Sequence, residues 1–242
     1  MRGRRHCGWL ARWVATTASV VVLFGCQGNI SPQPEPPNRG TFDIDFGQVE
    51  AKVDSYTNYP AGLRGGPGSA KPPGATLRAV NLEDVQDPVE TIIQQDGSFE
   101  VLFSVAIGDE VRVQILANEQ RSEPFDVRVV DDEAPPTRVV HPLPCFTITP
   151  ALELDLVSGV GVLRVDNDCA QAVLLDEPAL RRPVQGVRAA VMDWPATVAA
   201  GGFLDVTLEV DDTVPPELEE IVFLRVLAPE SDRRAVTLRA GF

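Results

Sequence analysis

Polar and apolar residues alternate in short runs along most of this chain. Val111, Val113 and Ile115 interleave with Glu110, Arg112 and Gln114; Phe99, Val101 and Phe103 interleave with Ser98, Glu100 and the less polar Leu102. The same period returns at Leu152, Leu154 and Leu156 against Glu153 and Asp155, and at Leu204, Val206, Leu208 and Val210 against Asp205, Thr207 and Glu209. A period of two sends successive side chains to opposite faces, so each run predicts a strand with one buried face. No segment sustains a helical stripe. Turn signals separate the runs at Pro72 to Gly74, Asp96-Gly97, Gly108-Asp109, Gly201-Gly202 and Pro215-Pro216. Short strands punctuated in this way predict an all-β chain built of β-sandwiches.

The pattern also predicts domain boundaries. Asp131-Asp132-Glu133-Ala134-Pro135-Pro136 follows an apolar run ending at Val130 and has the composition of a linker. We therefore expect one sandwich over 42–131, a linker over 132–137 and a second sandwich over 138–242, each long enough to bury its own core. Within the first, the glycine- and proline-rich stretch from Tyr56 to Pro72 predicts a long exposed loop. Tyr56 and Tyr59, the only tyrosines in the chain, make it the candidate binding loop, because aromatic rings on a loop can stack on sugars or anchor a protein. Packing against a sheet edge would explain them as well.

The first residues follow other rules. Arg2, Arg4, Arg5 and Arg12 precede an uncharged stretch from Val14 to Phe24 that is too short to span a bilayer, which is the build of a secretory signal. Arg4-Arg5 lacks the apolar residues that a twin-arginine signal carries after the pair, so general secretion is expected. The run ends Leu23-Phe24-Gly25-Cys26. This LFGC sequence resembles the bacterial lipoprotein signal. The resemblance implies that residues 1–25 are removed, that Cys26 is lipidated, and that the protein is anchored to a membrane of the bacterial envelope. Gln27 is compatible with outer-membrane sorting.

Charge and cysteines are best counted on that mature chain. Residues 1–25 hold four arginines and no acidic residue, so Lys+Arg falls from 21 to 17 against 35 Asp+Glu, a net charge of −18. Such a surface repels nucleic acid and anionic lipid head groups. Residues 26–41 form a tether: Ser31 to Pro37 reads SPQPEPP, and Gln27 to Arg39 in polyproline form would reach up to about 40 Å from the bilayer. Cys7 leaves with the signal and Cys26 carries lipid, so Cys145 and Cys169 remain. An isolated pair in an oxidising compartment reads as one disulfide. A hairpin of 146–156 with 160–166 about Ser158-Gly159 would bring the pair together, while a metal pair is the alternative, a poor one without nearby histidines.

Three segments of the first sandwich, Pro73 to Arg78, Gln95 to Phe99 and Gly108 to Val111, resemble the bacterial immunoglobulin-like modules found in tandem on surface proteins. Where such modules often carry an acidic, glycine-containing turn late in the domain, this chain has Ala117 to Ser122. The second sandwich, through Val162 to Asn167, Trp194 to Gly202 and the terminal run Ala235 to Ala240, resembles the major-sperm-protein and Hydin type of immunoglobulin-like domain. Both resemblances imply an interaction or structural module.

Catalytic groupings are scarce. His141 is the one histidine after residue 25, and a serine-histidine-acid triad would have to use it. Asp131-Asp132 and Asp211-Asp212 sit beside turn prolines, where weak calcium binding competes with plain solvation. We expect no catalytic residue, no metal site and no cofactor. The expected function is a non-enzymatic, lipid-anchored envelope module for binding, adhesion or bracing, whose partner is an envelope protein or glycan and not nucleic acid. The alternative is an accessory subunit or hydrolase with an unrecognised site.

Overall fold

The computed structural model describes residues 42–53, 61–118, 120–189, 193–211, 214 and 217–240. These residues are all-β, with a single 3-10 turn at Phe46–Gln48. Residues 37–242 group as one compact unit.

Four main sheets stack as successive layers. Sheet I orders β2 (Val49–Lys52), β3 (Gly62–Gly65) and β7 (Phe99–Leu102). Sheet II orders β11 (Thr137–Arg138), β10 (Phe125–Arg128), β8 (Glu110–Ala117), β5 (Thr76–Asn81) and β6 (Val89–Ile92), with β9 (Gln120–Arg121) on β8. Sheet III orders β13 (Glu153–Leu156), β21 (Asp232–Ala240), β20 (Leu218–Ala228), β15 (Val173–Leu175) and β18 (Ala196–Val198), with β16 (Ala179–Leu180) on β20. Sheet IV orders β12 (Phe146–Thr149), β14 (Val160–Asn167), β19 (Gly202–Val210) and β17 (Val187–Ala189). A small ribbon pairs β1 (Asp43–Ile44) with β4 (Ala70–Lys71).

Alternation assigns the faces. Val49, Leu63, Phe99 and Val101 of sheet I meet Leu77, Val111, Val113, Ile115 and Val127 of sheet II in one apolar core. Leu163, Val165, Val206 and Leu208 of sheet IV meet Leu154, Leu175, Leu224, Val236 and Leu238 of sheet III in a second. The opposite faces of sheets II and III then meet each other, with Val80 and Leu82 against Ile221, Phe223 and Ala235 as a small third cluster.

Three local expectations change. The run 61–72 is not a loop: Gly62–Gly65 is the central strand of sheet I, Leu63 is fully buried, and Ala61, Ser69 and Ala70 are buried as well. Its glycines are a packing requirement, since a Cβ on Gly62 would lie 2.0 Å from the Val101 carbonyl oxygen and one on Gly65 would lie 2.3 Å from the Phe99 ring. Residues 146–156 are two strands rather than one. The chain leaves sheet IV at Pro150, which has no N–H for a ladder, and re-enters as β13 in sheet III, parallel to β21. The hairpin turn does lie at Ser158-Gly159, both at positive φ (54° and 75°) between the bridged pair Val157 and Val160. An unbroken hairpin from that turn would set Phe146 opposite Gln171; its partner is Asn167. Finally, the polar positions of β8 do not face water, as described next.

Candidate functional site

Among the described residues the most extensive polar network is the joint between sheets II and III. Arg112 and Gln114 occupy the polar face of β8, yet they are only 3% and 5% exposed. Burying a guanidinium is tolerable only when its donors are matched. Arg112 matches all five: Nε and Nη2 donate to the two Asp126 oxygens at 2.7 Å each, Nη2 also to the Ala235 carbonyl at 2.7 Å, and Nη1 to Thr237 Oγ1 at 2.8 Å and the Leu152 carbonyl at 3.3 Å. One side chain thereby ties β8 and β10 to β21 and the entry of β13. Beside it, Gln114 donates to Glu153 Oε1 at 2.9 Å.

Further ion pairs and hydrogen bonds cross the joint. Glu220 is wholly buried; its carboxylate accepts from Arg181 Nε at 3.2 Å, Arg182 Nε at 2.5 Å and its neighbour's backbone N–H at 2.8 Å. Arg181 Nη1 then reaches across to the carbonyls of Asp84 (2.6 Å) and Gln86 (2.7 Å), and Arg182 pairs with Asp87. Arg233 binds Glu83 and Glu110 and lies over the Phe223 ring. Next to Glu220 on the same strand, Glu219 is shared by Arg78 and Arg121 of sheet II, at 2.6 and 2.8 Å. Burial lowers the Arg181 pKa against the pull of Glu220, but a guanidinium stays charged regardless.

His141 lies where the chain crosses from sheet II to sheet IV. The crossing is pinned by Val139 N–H to the Asp126 carbonyl at 3.0 Å and Leu143 N–H to Asp232 Oδ2 at 3.2 Å. His141 Nδ1 stands 3.3 Å from Asp232 Oδ1, beside a cleft of about 200 Å³ that Ser231, Arg128 and Glu110 also line. Burial, reinforced by the Arg234 charge, lowers the His141 pKa despite the attraction of Asp232. A histidine oriented by a buried carboxylate is half of a triad. Among the described residues no hydroxyl is hydrogen-bonded to His141, and Asp232 also holds Arg234 at 2.9 Å and the Leu143 and Arg233 backbone N–H groups. The cleft is smaller than the ~300–1,000 Å³ typical of small-molecule sites. Its parts tie the crossing to β21.

Cys145 and Cys169 are joined in a disulfide, with Cα atoms 5.0 Å apart. Asn167 organises that end: its fully buried amide donates to the Gln171, Val198 and Ala199 carbonyls and accepts from Cys169 N–H. Cys26, Tyr56 and Tyr59 lie outside the described residues. Asp131 and Asp132 are exposed, with Asp132 Oδ1 accepting from Val53 N–H at 3.1 Å. Among the described residues no group of three potential metal ligands converges, and no helix is long and apolar enough to cross a membrane. The sequence reading missed Arg112, Gln114, Arg181 and Glu220, because an arginine alternating with valines looks the same whether water or a second sheet covers it. The chain matches no protein-family model and no curated protein.

Proposed function

We propose that this chain is a non-enzymatic envelope lipoprotein, anchored through Cys26 in the outer membrane, that displays two tandem immunoglobulin-like sandwiches as a stiff binding or bracing module. The observation that carries the reading is the joint: its buried arginines are matched to carbonyls and carboxylates across two sheets, an arrangement that favours a fixed relative placement of the two cores over an opening cleft. The proline-rich tether before it suits a body held off a surface. Cys26→Ser is expected to abolish incorporation of a palmitate analogue and move the protein from the membrane to the soluble fraction. Retention of the label in that variant would refute the anchor. Cross-linked native protein should retain an envelope component that the Cys26→Ser control does not.

The hydrolase or accessory-subunit alternative is favoured by one observation, the His141–Asp232 pair. It predicts a turnover that His141→Ala abolishes without unfolding the protein.

A further inference from the structure

We propose that the end of the sheet I–sheet II sandwich opposite its N-terminal ribbon docks a protein partner that presents an aliphatic side chain among basic residues. This deepens, and rests on, the reading of the chain as a displayed binding module. The strand registers define the two ends. Val49 pairs with Gly65, which pairs with Phe99, and that end carries β1, β4 and the Asp96-Gly97 turn. Lys52 pairs with Gly62, Gly62 with Leu102, and Glu110 with Arg128, so the loops 82–88, 103–109 and 129–134 gather at the other end.

Those loops are braced. Asn81, 5% exposed, donates its amide to the Ser104 carbonyl at 3.0 Å and Asp109 Oδ2 at 2.8 Å, and accepts from Glu83 N–H. Asp109 Oδ2 also accepts from Ala106 N–H, and backbone bonds join Gly108 to Val129 and Val129 to Asp109. Glu133 N–H donates to the Ala51 carbonyl. On this scaffold stand Val85, Ile107 and Val130, 61%, 58% and 44% exposed. A single exposed aliphatic is unremarkable. Three on adjoining loops are different, since turn geometry asks for Gly, Asn, Asp or Pro and gives no reason for Ile or Val. Loops already fixed by hydrogen bonds lose little freedom on binding.

Charge selects the occupant. Asp131 and Asp132 are exposed on the same loops, and the hydrogen bonds they accept come from the backbone N–H groups of Asp132 and Val53. An apolar centre with an acidic rim fits a partner of inverse pattern. Two copies would set acidic rim against acidic rim, and anionic lipid head groups would be repelled in the same way.

A photoreactive amino acid placed at 85, 107 or 130 of the full-length protein in its native cells tests the proposal. Controls stand at Ile92, exposed at the opposite end, and at Val162 on sheet IV. All three distal positions should yield one common protein adduct, about tenfold stronger than at the controls. The cross-linked peptide of the partner should carry Lys or Arg beside an aliphatic residue. Asp131→Lys with Asp132→Lys, which also gives up the bonds these carboxylates accept from the Val53 and Asp132 N–H groups and is therefore read at a temperature well below its measured melting temperature, should remove the adduct at 130. An adduct of the chain with itself, adducts to lipid alone, a partner peptide without basic residues, or insensitivity to the charge reversal would overturn the proposal. Adducts confined to the control positions would overturn the docking end while sparing the binding reading; no protein adduct at any position would count against both.

Discussion

Two kinds of contact hold sheets together in this molecule. Between sheets I and II, and between III and IV, valine, leucine and phenylalanine interlock as in any sandwich. Between II and III the buried apolar cluster among the described residues is Val80, Leu82, Ile221, Phe223 and Ala235, and beside it lie arginines with their carboxylates and carbonyls. Apolar packing is non-directional and tolerates repacking, whereas a guanidinium with five matched donors accepts one arrangement of its neighbours. The cores thus supply cohesion, and the joint supplies registration of one core against the other.

Substitutions separate the two kinds of contact. The largest effect is expected from Arg112→Ala, which leaves Asp126 without its charge partner and takes the guanidinium donor from Thr237 Oγ1 and the Ala235 carbonyl, while the Leu152 carbonyl keeps the Thr237 N–H; loss of one member of a buried pair costs about 3–5 kcal/mol. The paired change Arg112→Met with Asp126→Leu should recover most of that loss in urea unfolding, while weakening the fixed placement of the cores, which small-angle scattering would read as a broader shape. Failure to recover would show that the carbonyls, rather than Asp126, dominate the site. In the apolar core, Leu224→Ala, at a side chain with no exposure, should cost about 2–5 kcal/mol without changing the placement of the cores.

Removing the disulfide by Cys145→Ser with Cys169→Ser opens a loop of 24 residues' separation and should lower stability by about 3 kcal/mol in the entropic account, with the joint unaffected. The smallest effect is a pH dependence at the crossing. His141 in the folded chain titrates below its ordinary value of 6.5, chiefly through burial, so the unfolded chain binds more protons between the two values. Stability is then complete above 6.5 and falls as pH drops through the folded pKa. His141→Gln should flatten that slope in denaturation midpoints taken between pH 7.5 and the onset of acid unfolding. Glu110 behaves separately. Burial works to raise its pKa, but hydrogen bonds from Arg128 and Arg233 bring it below 4.5, so its contribution is lost only at more acid pH.

Much of the fold was legible in the pattern of residues. Phe99 and Val101 inward with Glu100 and Leu102 outward, the Asp96-Gly97 and Gly108-Asp109 turns, and the turn at Ser158-Gly159 all stand where alternation and turn chemistry put them. The segment 61–65 was misread because its strand is made mostly of small residues: glycine signals a turn when its reason is conformational, and a tight fit when its reason is the Phe99 ring or the Val101 carbonyl. The split of 146–156 was hidden for a related reason, since Ile148, Leu154 and Leu156 look alike whether they enter one sheet or two. Of the candidate site residues, the cysteine pair was legible by elimination, and the arginines of the joint were not.

Alternation and turn chemistry were enough to predict an all-β chain, many of its turns and the inward set of its alternating apolar side chains, and the cysteine count favoured the Cys145–Cys169 pairing that the structure shows. A period of two dictates that β8 has an apolar and a polar face. It carries no information about what covers the second face. That Arg112 and Gln114 lie against sheet III instead of water follows from how the sheets pack, through contacts such as Arg112 with Thr237 and Arg181 with Asp84, made between residues about a hundred positions apart.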